Sequence, residues 1–341
     1  MNKICVEYIW LDSKLNLRSK TRVVDYVNGL DTLVVSEKYT KLESWNYDGS
    51  STGQATGVHS EIVIVPRATF KDPFRGGDNL LALCDTYDKD DNPLPTNNYA
   101  QAKGIFENKK NEKPMFGLEQ EYFLFDSDKP LREQVNVAQD NFYCGVGAGN
   151  AFWRHIAEEH LEACIAANIS ITGINAEVAP GQWEFQIFDT GVKAAHHLWM
   201  ARYLLIHIAE KYKIKVNFEP KPFEHLNGTG CHCNVSTLNM RDGNGNKPGI
   251  SYINEALDLL ETKHMEHMAV YGEGNRKRMT GENETADYDV FTRGVGNRGA
   301  SIRIGKNTAK NGKGYFEDRR PGGNADPYLV TGMIFKTIME L

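Results

Sequence analysis

The chain has 341 residues, 40% hydrophobic and 25% charged, with a formal net charge of −6. This is a globular composition, and its acidic balance leaves no general nucleic-acid footprint. No apolar run approaches the ~18 residues of a membrane span, and Glu7 and Asp12 interrupt the uncharged core that a secretion signal would need.

Residues 3–88 hold strand-like runs and little helix: Lys3–Leu11, Thr21–Val27, Glu61–Val65 and Asn79–Cys84. Between them lies WNYDGSSTGQATG, a polar loop that opens with aromatics. The stretch DKDDNPLPTNN (88–98) is acidic, contains proline and has no apolar periodicity, which marks a domain boundary and divides the chain into 1–92 and 93–341. Beyond it, strands mix with long helices. One helix is predicted over Asn150–Asn168 with Phe152, Ile156, Leu161 and Ile165 inward, and a second over Thr190–Tyr212 with Val192, Leu198, Leu205 and Ile208 inward. A third runs Tyr252–Tyr271 and closes at Gly272; Asp326-Pro327 is an N-cap and first-turn pair opening a last one. Residues 272–297 are polar and Gly-rich, and loops that long inside a domain are usually functional or disordered. The six cysteines (5, 84, 144, 164, 231, 233) have no framework spacing and read as reduced thiols of a cytosolic protein.

The chemistry gathers in NAEVAPGQWEF (175–185). Pro180-Gly181 suits a type I or II turn, with a loop over Ala179–Gln182. Val178 then faces Trp183, and Glu177 faces Glu184, on one side of a hairpin. Two carboxylates about 5 Å apart repel by roughly 3 kcal/mol at an effective dielectric near 20, so a shared proton, an arginine or a metal ion must offset the repulsion unless both are solvated. In FGLEQEYFLF (116–125), Glu119 and Glu121 are two apart and share a strand face among apolar neighbours. Two such pairs point to a divalent-metal site, and carboxylate oxygens suit Mg²⁺ or Mn²⁺. In NGTGCHCNVS, alternation puts Cys231 and Cys233 opposite His232, which argues against a zinc site and leaves His232 as a further ligand or a structural histidine. Glu317 in GYFEDRR is ambiguous alone. Arginines 276, 278, 293, 298, 303, 319 and 320 crowd the C-terminal third, and their planar forks suit carboxylates and phosphates, or simply surface acids. Acids that hold metal beside such arginines suit phosphoryl transfer from a nucleotide. No Walker loop is present, and GVGAGN (145–150) matches a dinucleotide fingerprint only in part, because Asn150 takes the third glycine's place.

The blocks WNYDGSST, GLEQEYFLF, YCGVGAGN, NAEVAPGQWEFQ, NGTGCHCNVST, NRGASIRI and GYFEDRRPGGNADPY, in that order, resemble type II glutamine synthetases over nearly the whole chain. The resemblance implies an α+β protein: an N-terminal β-grasp domain and a C-terminal catalytic domain with a curved antiparallel sheet flanked by helices. It implies ATP-dependent ligation of ammonia to glutamate through a γ-glutamyl phosphate, in the cytoplasm, by a decamer of two pentameric rings with shared active sites. Two or three Mg²⁺ or Mn²⁺ ions per site are implied, one held by Glu121, Glu177 and Glu184 and a second by Glu119, His232 and Glu317. Arg298, Arg303, Asn234, Ser236 and Tyr315 would meet ATP, with Glu119 and Glu184 alongside. Glutamate would be held by Asn227, Gly228, Arg278, Arg319 and Glu184. Asp48 of an adjacent subunit would take a proton from ammonium, in a site completed by Ser51, Tyr143 and Glu284. Arg298 and Arg319 would act in catalysis with Asp48 and Glu284. The chain departs from the family pattern in FEHLNGTG, where Leu226 replaces a tryptophan, and in the GENE sequence of the flap. A relative that ligates a larger amine, or an inactive member of the fold, are the alternatives; a nicotinamide dehydrogenase is disfavoured by Asn150 and by the carboxylate clusters.

Overall fold

The computed structural model describes residues 3–25, 42–126, 141–282 and 284–341. The end of the run expected at Val27 lies outside them. The chain divides into two units, Met1–Gln101 with Glu162–Ile169, and Ala102–Leu161 with Ser170–Leu341.

The first unit carries β1 (Lys3–Leu11), β2 (Leu17–Asp25), β3 (Trp45–Asp48), β4 (Glu61–Lys71) and β5 (Leu80–Tyr87) in the order β2-β1-β5-β4-β3. β1 runs parallel to β5, and the other pairs are antiparallel. Val6, Tyr8, Trp10, Ile62, Ile64 and Ala82 belong to one core, in which Trp10 stacks on Tyr47 at 4.5 Å between ring centroids. β4 continues six residues past the predicted end at Val65, to Lys71. Pro66 cannot donate to the ladder, and the register shifts between Pro66 and Ala68, so an irregularity absorbs the proline and the alternation resumes. The acidic stretch after β5 folds into a tight turn in which the Asp88 carboxylate accepts the N–H groups of Asp90 and Asn92.

The second unit is built on eight strands: β6 (Met115–Asp126), β7 (Ile171–Ala176), β8 (Gln182–Thr190), β9 (Ile214–Asn217), β10 (Cys231–Ser236), β11 (Arg293–Val295), β12 (Ile302–Ile304) and β13 (Phe316–Asp318). Their order is β11-β12-β13-β10-β6-β8-β7, with β9 on the far end of β6. β11 and β12 pair in parallel; the other pairs are antiparallel, as expected of the curved antiparallel sheet. The helix Val192–Lys211 packs on β6, β8 and β9, and against the helix Pro327–Ile338. Alternation along β6 follows from this one-sided cover. Phe116, Leu118, Gln120 and Tyr122 are buried, while Gly117, Glu119 and Glu121 are half-buried on the other face.

The helix predicted over Asn150–Asn168 runs Arg154–Ala166. Trp153, at φ +58°, delays its start, which leaves Phe152 outside. Its buried residues are Ile156, Ala157, His160, Ala163 and Cys164; Leu161 is half-buried and Ile165 lies off that face, 60% exposed. The Thr190–Tyr212 prediction becomes Val192–Lys211, with Val192, Leu198, Leu205 and Ile208 buried. The third helix is two, Gly249–Thr262 and His264–Met268, broken at Lys263, and the chain leaves at Gly272 with φ +107°. Asp326 caps Pro327–Ile338 by accepting the Tyr328 N–H at 2.8 Å.

Candidate active site

The turn between β7 and β8 sets the first acids. The Gln182 N–H donates to the Ala179 carbonyl at 3.0 Å, and Gly181 has φ +73°, so Ala179–Gln182 is a type II turn with Pro180 and Gly181 at its centre. The Glu177 N–H donates to the Gln182 carbonyl at 2.9 Å, so Glu177 faces Gln182. Glu184 faces Asn175, and Trp183 faces Ala176. The predicted Glu177–Glu184 and Val178–Trp183 oppositions are therefore wrong by two residues. A shift of two preserves the face, because side chains alternate with period two, so both glutamates still project to one side. The residue across from Glu184 on its other flank is Glu121 of β6, and next along that strand Glu119 faces Gln186. On the far side of β6, His232 faces Glu119, and beyond it Glu317 of β13 faces Asn234 of β10 and Arg303 of β12.

This register gathers two groups of acids. One ligand atom each from Glu121, Glu177 and Glu184 lie within 4.8 Å of one another, and so do atoms of Glu119, His232 and Glu317. The Glu121 carboxylate is held by the Gly230 N–H at 2.8 Å. Glu177 accepts from Asn175 at 2.9 Å, Glu184 from Gln186, and Glu119 from Asn234 at 2.7 Å. Glu317 takes Arg319 on one oxygen at 2.6 Å and Arg303 on the other at 2.8 Å. His232 Nδ1 stands 3.6 Å from Glu119 and 3.7 Å from Glu317. Those distances exceed a hydrogen bond, and they suit donors sharing an ion bonded at about 2.1 Å.

The electrostatics favour such a cation. Burial, then the charges of Glu119 and Glu121, pushes Glu184 up to about 9. Burial, then Glu177, pushes Glu121 up to about 8, and burial pushes Glu177 up to about 6. Burial and the nearby Arg319 hold His232 well below its ordinary value, so its imidazole is neutral and able to ligate. Oxygen donors with one imidazole fit Mg²⁺ or Mn²⁺.

One pocket reaches both groups, through Glu121, Glu177 and Glu184 of the first and Glu119 and His232 of the second, and is lined also by Tyr143, Gln182, Asn227, Gly228, Arg278, Glu284, Arg298 and Arg319. Arg319 donates to the carbonyls of Arg298 at 2.9 Å and Glu284 at 3.4 Å, tying the long loop to β13. Arg278 is buried, donates to the carbonyls of Arg320 and Pro321, and is pulled down to about 10 by burial. Gly228 has no room for a side chain, since a Cβ would meet the Pro220 carbonyl at 2.1 Å. A second pocket, with Glu119 in common, is lined by Asn234, Ser236, Tyr315, Phe188, Ile187 and Met115 among others. Its apolar walls and polar rim suit a nucleotide base and sugar. Asp48 and Ser51 belong to the first unit. There Asp48 accepts both the N–H and hydroxyl of Ser50 and the hydroxyl of Ser51, bonds that hold its carboxyl below the ordinary value.

Some arginines are elsewhere. Arg276 pairs with Asp289 and Arg293 with Asp258 on the surface, and Arg320 is buried against Asp318. Leu226 is core: it packs with Phe123, Ala179 and Phe223, away from the pocket lining. Sequence reasoning missed Gln182 and Gln186; both lie two residues from Glu184, and that spacing was the available signal.

The fold and site define an α+β protein whose sheet face gathers two groups of carboxylates able to hold cations, beside a second pocket with apolar walls and a polar rim. The family model described as "Glutamine synthetase, catalytic domain" matches residues 97–340. The chain is 49% identical to glutamine synthetase cytosolic isozyme 1-5 of Arabidopsis thaliana, over 98% of this chain and 94% of that protein. It is 47% identical to a chloroplastic glutamine synthetase of Brassica napus, over 99% of this chain and 78% of that one. In fold it is similar to a Plasmodium falciparum glutamine synthetase solved by cryo-electron microscopy, with a TM-score of 0.75 at 18% identity, over 99% of this chain and 72% of that chain. The chain belongs to the glutamine synthetase family.

Proposed function

We propose that the protein is a glutamate–ammonia ligase that converts ATP, L-glutamate and ammonia to L-glutamine, ADP and phosphate. The supporting observation is the pair of carboxylate groups in one pocket, joined through Glu119 to the nucleotide-type pocket. A γ-carboxylate oxygen of glutamate attacks the γ-phosphorus of ATP, and ADP leaves. Ammonia then attacks the acyl carbon of the γ-glutamyl phosphate, and phosphate leaves with the bonding electrons. Two or three Mg²⁺ or Mn²⁺ ions, held by Glu121, Glu177 and Glu184 and by Glu119, His232 and Glu317, would neutralise phosphoryl charge.

Arg298 and Arg303 meet phosphate oxygens, and Asn234, Ser236 and Tyr315 hold the nucleotide. Asn227, Gly228, Arg278 and Arg319 orient glutamate, with Glu184 at its reacting end. Tyr143, Ser51, Asp48 and Glu284 bind ammonium, and Asp48 accepts the proton that frees the nucleophile. The loop around Glu284 excludes water from the acyl phosphate. The full site is shared between subunits of a ring, in a decamer, in the cytoplasm; no helix of the described residues is long and apolar enough to cross a membrane.

The test is ATP-dependent glutamine formation by the purified chain, with and without ammonium, repeated with larger amines. Ammonium-dependent glutamine is expected. Preference for a larger amine would replace the substrate assignment, and no product with any amine would overturn the ligase reading.

A further inference from the structure

The two carboxylate groups come from different strands, so the distances between them depend on what fixes those strands from behind. Gln120 lies between Glu119 and Glu121 on β6 and is fully buried on the helix-covered face. Its amide nitrogen donates to the carbonyls of Gly323 at 2.9 Å and Glu121 at 2.8 Å. Its amide oxygen accepts two N–H groups of Arg202, from Nε at 2.8 Å and Nη2 at 2.5 Å.

Arg202 comes from the helix Val192–Lys211 and is 2% exposed. Its Nη2 also donates to the carbonyls of Gly323 at 2.9 Å and Ala325 at 3.0 Å, and the guanidinium lies over the rings of Trp199 and Phe218. A buried cation bonded to neutral oxygens is an expensive way to fill a core, and an apolar side chain of similar volume would often be more stable. What the arginine provides is a fork that bonds several acceptors at fixed angles.

Those acceptors connect both groups. β6 supplies Glu119 to one and Glu121 to the other. The segment holding Gly323 and Ala325 continues from β13, which supplies Glu317, and it is stitched to β10 by the Cys231 N–H on the Pro321 carbonyl at 3.0 Å. We propose that Arg202, acting through Gln120 and the carbonyls of Gly323 and Ala325, is a positioning residue that sets the spacing of the carboxylates in both cation sites. The proposal rests on the metal sites named under the proposed function.

The test is calorimetric titration of the full-length chain with Mg²⁺ and with Mn²⁺, for wild type, Arg202→Met, Arg202→Lys and Gln120→Leu, with circular dichroism and unfolding midpoints for each. Folded Arg202→Met is expected to bind at both sites 10- to 100-fold more weakly, the usual scale for residues behind metal ligands. Arg202→Lys, which keeps one donor direction, should recover part of the loss, and Gln120→Leu should resemble Arg202→Met. A purely structural role predicts lower midpoints with wild-type affinity in the folded variants, and that result overturns the proposal. Failure of both Arg202→Met and Gln120→Leu to fold also overturns it, since the pair would then be a folding determinant. Absence of metal binding by wild type would remove the metal reading itself, and the proposal with it; binding by wild type and by the folded variants alike removes the positioning role alone.

Discussion

Glu121 and Glu184 stand directly opposite one another across β6 and β8, inside a pocket that also receives Glu177. Burial and the neighbouring charges raise Glu184 to about 9 and Glu121 to about 8. Without a cation, the folded protein keeps protons that the unfolded chain gives up.

The sign follows from linkage. Between the ordinary carboxyl value of 4.5 and about 9, the native state binds more protons than the unfolded state, so stability of the metal-free protein falls as pH rises. Glu184→Gln removes one contributor. It is expected to stabilise the metal-free protein by about 1–3 kcal/mol at pH 8 while abolishing cation binding at its site. Urea unfolding in chelator from pH 5 to 9 measures the first effect, and calorimetric titration the second. A flat pH profile for wild type, or unchanged cation affinity in the variant, refutes the assignment.

Cation binding should release protons. At pH 7 Glu121 and Glu184, raised to about 8 and about 9, are protonated before binding and ionised after it, so affinity is expected to rise between pH 6 and pH 9, about tenfold per pH unit for each proton displaced. Calorimetry in two buffers of different ionisation enthalpy counts the protons; zero release contradicts the burial argument.

Gly181 has φ +73°, and an added Cβ would stand 2.6 Å from Trp153 and 2.8 Å from the Leu124 carbonyl. Gly181→Ala is expected to cost about 2 kcal/mol and to weaken cation binding, because the turn carries Glu177 and Gln182. Unfolding midpoints and metal titration check both; a neutral substitution would show that the turn does not set the site.

Glu284→Ala is expected to impair ammonium use more than ATP or glutamate binding. The residue lines the pocket from the loop, and its carbonyl is tied to Arg319. Equilibrium binding of each substrate, set beside the dependence of turnover on ammonium, decides it. Collapse of ATP binding with normal ammonium dependence would contradict the role.

Asp48→Ala and Arg319→Ala should each be nearly inactive, while co-assembly of the two should restore about a quarter of the sites if mixing in a head-to-tail ring is random. Mass spectrometry verifies mixed rings before the glutamine assay. Persistent inactivity of verified mixtures means that Asp48 and Arg319 serve the same chain's site.

By itself, the sequence determined the local chemistry: which acids share a face, that Cys231 and Cys233 point away from His232, where Asp326 caps a helix, and through its ordered blocks the family. These features depend on short-range geometry, since strand alternation and capping are fixed within a few residues. It misjudged how the hairpin pairs, and on Arg154–Ala166 it placed Ile165 inward beside Ile156, whereas Ile156 is buried and Ile165 is exposed. Pairing depends on where the turn hydrogen bonds close, and helix burial on what packs against it. Only the tertiary structure decided that Glu121, rather than Glu177, faces Glu184, that Leu226 belongs to the core, and that Arg202 reaches Gln120 behind the two glutamates. The Arg202–Gln120 contact joins residues 82 positions apart in sequence, and no local pattern encodes which buried donor meets which acceptor when a helix closes over a sheet.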